Sequence, residues 1–319
     1  FFDAPRPPEE DPPTVQLQLT NACNVACTYC CTNSGTARAT EVELVDVRRI
    51  VGDIKAHLPQ ARVAILGGEP LLVPWALDLC AEILSLGLSL SLFSNGLPLI
   101  DDKLARRTAE LNKSGMEVRI SLAGPTRALC DGESGAARFD AALAGIQRVA
   151  AHGGRVLVDL MLFPQQVDAV IAEWPHLTAQ LPPKTEIALG LAYHGGREQG
   201  AHFFRSPSEL EEALDRLTFE AGQTIPAQQR GPVAYRREGC SCAMGQHLHM
   251  RSDGTLFPCF KMEERVGHIN EEGFVETLAR LQEHPHPASE LPACRECPLR
   301  TLCGAGCRSD NYLFTGHLE

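Results

Sequence analysis

The chain has 319 residues, 44% of them hydrophobic, enough for one large domain with a buried core and a smaller one beside it. The 29 Lys and Arg against 40 Asp and Glu give a formal charge of −11, with no basic block anywhere. A nucleic-acid phosphate backbone would therefore be repelled rather than held. Neither an apolar run of the ~18 residues a membrane span needs nor a basic-then-apolar N-terminus is present, so no membrane partner is expected and the expected location is the cytoplasm.

Residues 1–13 are rich in Pro and acidic side chains and read as a flexible arm. Val15–Thr20 alternates with period two, as a strand does. Thr40 and Glu43 have capping-box spacing and would open a helix reaching about Leu58. Arg62–Leu66 is a short apolar strand, Pro74–Leu86 a helix ended by Gly87, and Leu88–Phe93 a strand. A helix over Asp101–Lys113, a strand over Met116–Leu122, a helix over Phe139–Ala151 and a strand over Arg155–Phe163 follow. A helix over Gln166–Gln180 and a strand over Thr185–Ala192 close the series. Alternation of this kind predicts an α/β fold, a parallel sheet rolled into a partial (β/α)6 TIM-like barrel over residues 14–205. Ligands of such sheets sit at the C-terminal ends of the strands. Ser208–Ala221 reads as a bridging helix within a linker, 206–234. From 235 to 319 cysteines, glycines and short apolar pieces predominate, a small domain whose thin core needs staples.

Thirteen cysteines in a cytoplasmic chain point to metal ligation before disulfides. Ten of them fall into two groups, between Cys23 and Cys30 and between Cys240 and Cys307. Cys80 lies in an apolar helix and reads as core, Cys130 falls in a polar loop, and Cys31 reads as a bystander beside the first group. His284 and His286, between prolines, read as a solvated linker. Cys23, Cys27 and Cys30 form a CxxxCxxC loop directly after the first strand. Taken alone this spacing also suits zinc. A [4Fe–4S] cube takes four thiolates, so three in one loop would leave one iron open for chemistry. S-adenosylmethionine (SAM) could chelate that iron, and electron injection would release a 5′-deoxyadenosyl radical.

The run from Cys23 to Cys30, with Tyr29 before the third cysteine, resembles the radical SAM signature. Gly67-Gly68-Glu69-Pro70, after the second strand, is similar to that family's SAM-binding GGEP motif, in which glycines allow close backbone approach. Ser94-Asn95-Gly96 is similar to the family's third-strand turn, although a plain Asn-Gly turn explains Asn95 equally well. Ser121-Leu122-Ala123-Gly124-Pro125 resembles a fourth-strand SLDGP segment with Ala123 in place of the usual Asp. The resemblance implies SAM contacts at Gly67, Gly68, Glu69, Pro70, Ser94, Asn95 and Ser121.

The C-terminal cysteines resemble the SPASM domain, which holds two auxiliary [4Fe–4S] clusters in radical SAM peptide-modifying enzymes. On that resemblance Cys240, Cys242, Cys259 and Cys307 serve one cluster, and Cys294, Cys297 and Cys303 the other. Cys240 and Cys242 are two apart, so an extended segment would present both to one side. An eighth cysteine, which two clusters of four thiolates would need, is absent after Cys307. A ligand beyond Glu319, substitution by Asp310 or His317, or an open substrate-binding site are the competing explanations. The function implied is maturation of a ribosomally made peptide by hydrogen abstraction, leaving a crosslink or related modification. Few residues precede the first strand, so a separate leader-recognition protein or the acidic surface is expected to bind the leader, and a ferredoxin or flavodoxin to supply electrons. The alternatives are a small-molecule enzyme of tetrapyrrole or other cofactor synthesis, or a sulfatase-maturation-like enzyme. The last is disfavoured by Phe260, which stands where those enzymes carry an Asp.

Overall fold

The structure is a computed structural model, and it describes residues 12–193, 195–198, 200–220, 247–262, 264–283 and 292–296. The N-terminal arm, most of the linker and most C-terminal cysteines lie outside the described residues. No helix among the described residues is long and apolar enough to cross a membrane.

Strand β1 (Thr14–Gln18) buries Val15 and Leu17 completely, as its period-two pattern requires. Helix α1 (Leu44–His57) covers that face with Val47, Ile50, Val51 and Ile54, the spacing of a single helical stripe. Its cap differs from the one expected. The pair is Glu43 and Asp46, with the Asp46 carboxylate accepting the Glu43 N–H at 3.4 Å, so the helix starts one turn later than Thr40 would have set it. Next come β2 (Arg62–Leu66), α2 (Ala76–Ser85), β3 (Ser89–Ser94), α3 (Asp102–Lys113) and β4 (Glu117–Leu122). The Asp101 carboxylate caps α3 by accepting the N–H groups of Lys103 and Leu104.

Helix α4 (Arg127–Ser134) corrects the polar-loop reading of Cys130. Thr126 caps this helix, the left-handed Gly135 ends it, and Cys130 is fully buried inside it. Its Asp131-Gly132 pair carries a turn signature, and eight residues are too few for periodicity to outweigh that. The series continues through α5 (Phe139–Ala151), β5 (Leu157–Met161), α6 (Val167–Gln180), β6 (Glu186–Gly190) and α7 (Pro207–Glu220). Cys80 is core, as read from the sequence.

The sheet order is β6-β5-β4-β3-β2-β1-β7-β8-β9, with β1 to β6 parallel and each paired to its sequence neighbour. This is the partial (β/α)6 barrel with helices on its outer face. The far side of β1 is taken by β7 (His247–Met250), which pairs in parallel from Thr14↔His247 to Leu17↔Met250. β8 (Thr255–Phe257) and β9 (Gly267–His268) then turn back antiparallel. Strands from beyond residue 235 thus extend the barrel's own sheet. Helix α8 (Phe274–Glu283) buries Phe274 and Leu278 in the same core, and one helical turn, α9 (Pro292–Arg295), carries Cys294.

The other face of the strands mixes apolar side chains such as Phe93 and Met161 with polar ones. Gln16 and Gln18 on β1, Ser91 on β3, Arg119 and Ser121 on β4, Asp159 on β5 and His249 on β7 alternate with the core residues. A filled barrel would carry branched apolar residues there, so this interior is built to hold something polar.

Candidate active site

The loop after β1 folds back on itself. Ala22 and Gly35 form a parallel bridge, with Cys23 N–H donating to Gly35 O at 2.9 Å and Gly35 N–H to Asn21 O at 2.9 Å. Within this stem Cys30 N–H reaches Cys27 O at 3.3 Å, a tight turn that brings the later thiols round beside the first. The Gly67–Pro70 turn packs directly on it. Gly68 N–H donates to Thr20 O at 2.7 Å and Glu69 N–H to Ala22 O at 2.8 Å. A Cβ on Gly68 would lie 2.2 Å from Ala22 O, so only glycine permits this approach. At the next turn Gly96 holds φ +82°, outside the ordinary range of other residues.

Cys23, Cys27 and Cys30 line one cavity of about 510 Å³ at the C-terminal ends of the strands. Gly67, Gly68, Ser94, Asn95 and Ser121 line it too, so five of the seven residues expected to meet SAM converge there. Glu69 and Pro70 do not line it. Glu69 is wholly buried behind the wall, its carboxylate accepting Asn95 N–H (2.7 Å), Leu71 N–H (3.1 Å) and the Ser94 hydroxyl (2.9 Å). It ties the second-strand turn to the third. Asn95 does more than form a turn, because its amide donates to Asn24 Oδ1 at 2.7 Å and lies 3.8 Å from Cys23 Sγ. Ala123 is fully buried in the apolar core, so that side chain does not face the cavity.

Residues 17–174 match the radical SAM superfamily model. The mycofactocin maturase MftC of Mycobacterium tuberculosis is 31% identical over 94% of this chain and 78% of its own length. This chain belongs to the radical SAM superfamily. PqqA peptide cyclase of Xanthomonas oryzae pv. oryzae is 24% identical over 96% of this chain and 85% of its own. Among solved structures, native anSMEcpe with bound AdoMet and the Cp18Cys peptide matches with a TM-score of 0.68 at 18% identity, covering 93% of this chain and 90% of that one. Streptococcus suis SuiB bound to the precursor peptide SuiA matches at 0.67 and 16%, covering 97% and 74%. At such identities these two matches establish the fold.

The residues present fit the groups that radical SAM enzymes use. Burial pushes the Cys23 and Cys27 thiols above the usual range, and the charges of the neighbouring thiols add to this. Arg138 and Arg197 pull Cys27 the other way. Buried thiols so placed hold their protons until a cation takes them, and soft thiolates in one loop suit iron and sulfide. Arg138 is 1% exposed, lines the cavity, donates to the Ser121 carbonyl and bonds the Cys130 sulfur, with no carboxylate bonded to its guanidinium among the described residues. A buried cation of that kind suits an anionic ligand group.

Sequence reasoning missed Arg138, Arg119, Asp159 and Arg197. Arg119 and Asp159 face each other across β4 and β5 in a two-point ion pair inside the cavity, and the guanidinium lies 5.1 Å above the Phe93 ring. Glu117 accepts from both Arg119 and the Ser91 hydroxyl. The available signal was a polar residue at every second position of β4 and the single Asp159 in the middle of β5, where a parallel strand covered on both faces reads as near-continuous apolar. Cys31 also lines the cavity, with its thiol pushed up to about 12 by burial.

Of the expected auxiliary ligands, Cys240, Cys242, Cys297, Cys303 and Cys307 lie outside the described residues, as do His284 and His286, Asp310 and His317. Cys259 is half-buried just after β8. The next residue, Phe260, packs edge-on against Tyr193, a cavity residue, with ring centroids 4.8 Å apart, and Lys261 Nζ sits 4.4 Å over the same ring.

Proposed function

We propose that this radical SAM enzyme is a maturase of a ribosomally made peptide, abstracting hydrogen from a peptide carbon and installing a crosslink or related modification. The observation that carries the reading is a single cavity with two chemically distinct halves. One half holds Cys23, Cys27, Cys30, Gly67, Gly68, Ser94, Asn95, Ser121 and Arg138. The other is formed by Phe93, Arg119, Asp159, Met161 and Leu189 to Tyr193, an apolar wall with one charge pair. Two relatives whose names describe peptide maturation or cyclisation span nearly the whole chain and support a peptide substrate.

In this reading Cys23, Cys27 and Cys30 hold a [4Fe–4S] cluster. Gly67, Gly68, Ser94, Asn95 and Ser121 hold SAM beside it, Arg138 meets the SAM carboxylate, and Glu69 and Pro70 act from behind by fixing the turns. When bound, the cluster and SAM supply a 5′-deoxyadenosyl radical on one-electron reduction. The chain's own contribution is to orient the peptide carbon against that site and to keep water from it. Two auxiliary clusters at Cys240, Cys242, Cys259 and Cys307 and at Cys294, Cys297 and Cys303 belong to the same proposal. So do electron supply by a ferredoxin or flavodoxin and leader binding by a separate protein. Phe260 offers no carboxylate beside the cavity, which argues against sulfatase-type chemistry.

The test is 5′-deoxyadenosine formation by the anaerobically reconstituted enzyme, with candidate peptides or cofactor precursors as stimulants. Peptide-dependent formation with a mass change on the peptide is expected. Stimulation by a tetrapyrrole or another small metabolite alone would overturn the peptide reading. Persistence of SAM cleavage after Cys23, Cys27 and Cys30 are changed to Ala would overturn the site.

A further inference from the structure

The loop carrying the three cysteines is gripped by the segment that follows β6, whose Arg197 also lines the cavity. Gly196, at φ +59°, slides so close under it that a Cβ would lie 2.4 Å from Cys30 O. Arg197 then donates from its backbone N–H to Cys30 O (2.9 Å), from Nε to Cys27 O (2.8 Å), from Nη1 to Asn33 Oδ1 (3.0 Å) and from Nη2 to Ser34 O (2.8 Å). Just beyond it, His202 is 7% exposed and its two ring nitrogens face two carboxylates. Nδ1 meets Glu198, which is itself buried and accepts Gly200 N–H at 2.7 Å, and Nε2 lies 2.9 Å from Glu133 Oε2. The Phe163 ring packs against the imidazole with centroids 4.6 Å apart. Glu133, near the end of α4, closes the circuit on the cysteine loop. Its backbone carbonyl accepts Thr28 N–H at 2.8 Å and its carboxylate the Thr28 hydroxyl at 2.5 Å. Thr28 lies between Cys27 and Cys30.

Both ring nitrogens of His202 lie against carboxylates, so the imidazole ties Glu198 to Glu133. A largely enclosed imidazole between two carboxylates has to be held by good geometry, so its place against this loop, behind the cavity lining, needs a reason. None of Glu133, Glu198 and His202 lines the cavity. We propose that Glu198, His202 and Glu133 form a positioning lock that clamps residues 195–198 and 200–202 and the end of α4 onto Thr28, holding the Cys27–Cys30 turn in its ligating shape. The proposal rests on Cys23, Cys27 and Cys30 being cluster ligands.

The experiment uses the full chain, reconstituted anaerobically, as wild type and as His202→Leu, His202→Gln and Glu133→Gln. The readout is the part of the reduced-cluster paramagnetic resonance spectrum that changes on SAM addition, which singles out the SAM-binding cluster, and the rate at which an iron chelator abolishes it. Thermal unfolding is followed alongside. Outer-shell partners of metal ligands are commonly worth 10–100-fold in metal retention, so His202→Leu is expected to lose the signal about tenfold faster, and His202→Gln, which restores one side of the bridge, less fast. A rate within about twofold of wild type for a folded His202→Leu overturns the lock, since the expected second-shell effect is far larger. If that variant does not fold, Glu133→Gln decides, with faster loss expected and an unchanged rate overturning the proposal. A wild-type chain with no SAM-responsive signal overturns the cluster reading and the lock with it, whereas a normal wild-type signal with unchanged variants overturns the lock alone.

Discussion

Replacing Glu69 by Gln changes one oxygen for an NH2 at a fully buried point where three donors converge. Oε1 accepts Leu71 N–H and the Ser94 hydroxyl, and Oε2 accepts Asn95 N–H. A glutamine oxygen kept at the two-donor side turns its NH2 toward Asn95 N–H and leaves that buried donor unmet, at a cost of about 1–3 kcal/mol. With an unfolding entropy of about 2.1 cal/mol/K per residue, a chain this long loses about 1.5 °C of Tm per kcal/mol, so the expected drop is about 2–5 °C. The measurement is thermal unfolding by circular dichroism at pH 8. Burial raises this carboxyl to about 7 against the pull of its three hydrogen bonds, so at pH 8 the comparison is with the ionised form. The raised value has its own signature. As pH climbs from the unfolded carboxyl range near 4.5 to about 7, the folded chain keeps a proton that the unfolded chain has released, and stability falls over that window. Glu69→Gln removes this slope. A Tm within about 1 °C of wild type at pH 8, where about 2–5 °C is expected, would show that Glu69 does not hold the Ser94–Asn95 turn.

Gly68→Ala is expected to push the Gly67–Pro70 turn off the cysteine loop, since its Cβ meets backbone 2.2 Å away rather than a side chain that can swing aside. Overpacking of this kind costs about 1–3 kcal/mol, and both Tm and the SAM dissociation constant, read by calorimetry, should worsen. Asp159→Asn strips Arg119 of its two-point partner in the cavity while leaving the cysteine loop untouched. Peptide-stimulated turnover should fall with SAM affinity retained, and equal loss of both would refute the division of the cavity into two halves. His249 is buried with neither ring nitrogen hydrogen-bonded among the described residues, and burial pushes it down to about 3. Its folded form stays neutral while the unfolded chain takes up a proton, so stability is lost as pH falls from about 6.5 towards 3. His249→Leu should flatten that acid limb of the unfolding curve, and an unchanged limb would refute the assignment.

The local features legible in the sequence are those whose cause is local. Helix α5 and strand β2 keep the limits their periodicity set, because one buried stripe or one buried face is enough to define them. Helix α4 was hidden by its Asp131-Gly132 pair, and Cys130 was misplaced with it. The α1 cap moved to Glu43 because Asp46 also offers a carboxylate to the free N–H, a choice between neighbouring signals that spacing cannot rank. Arg138 could not be found by motif, since it stands 108 residues after Cys30 in the chain and reaches the thiols only when α5 packs beside β4.

The chain's own order determined the chemistry of the rim. Three cysteines, a Gly-Gly turn and an Asn-Gly turn each follow a strand, Ser121 lies near the end of another, and parallel connections bring the ends of successive strands to one side. Tertiary structure decided what lies against that rim. A period-two pattern states which face of a strand is buried but not which strand it pairs with, so the docking of β7 on β1 is absent from the pattern of either. The same limit hid the grip of Arg197, His202 and Glu133 on the cysteine loop, because hydrogen bonds between residues 69 and 170 positions apart exist only after the core has placed both ends.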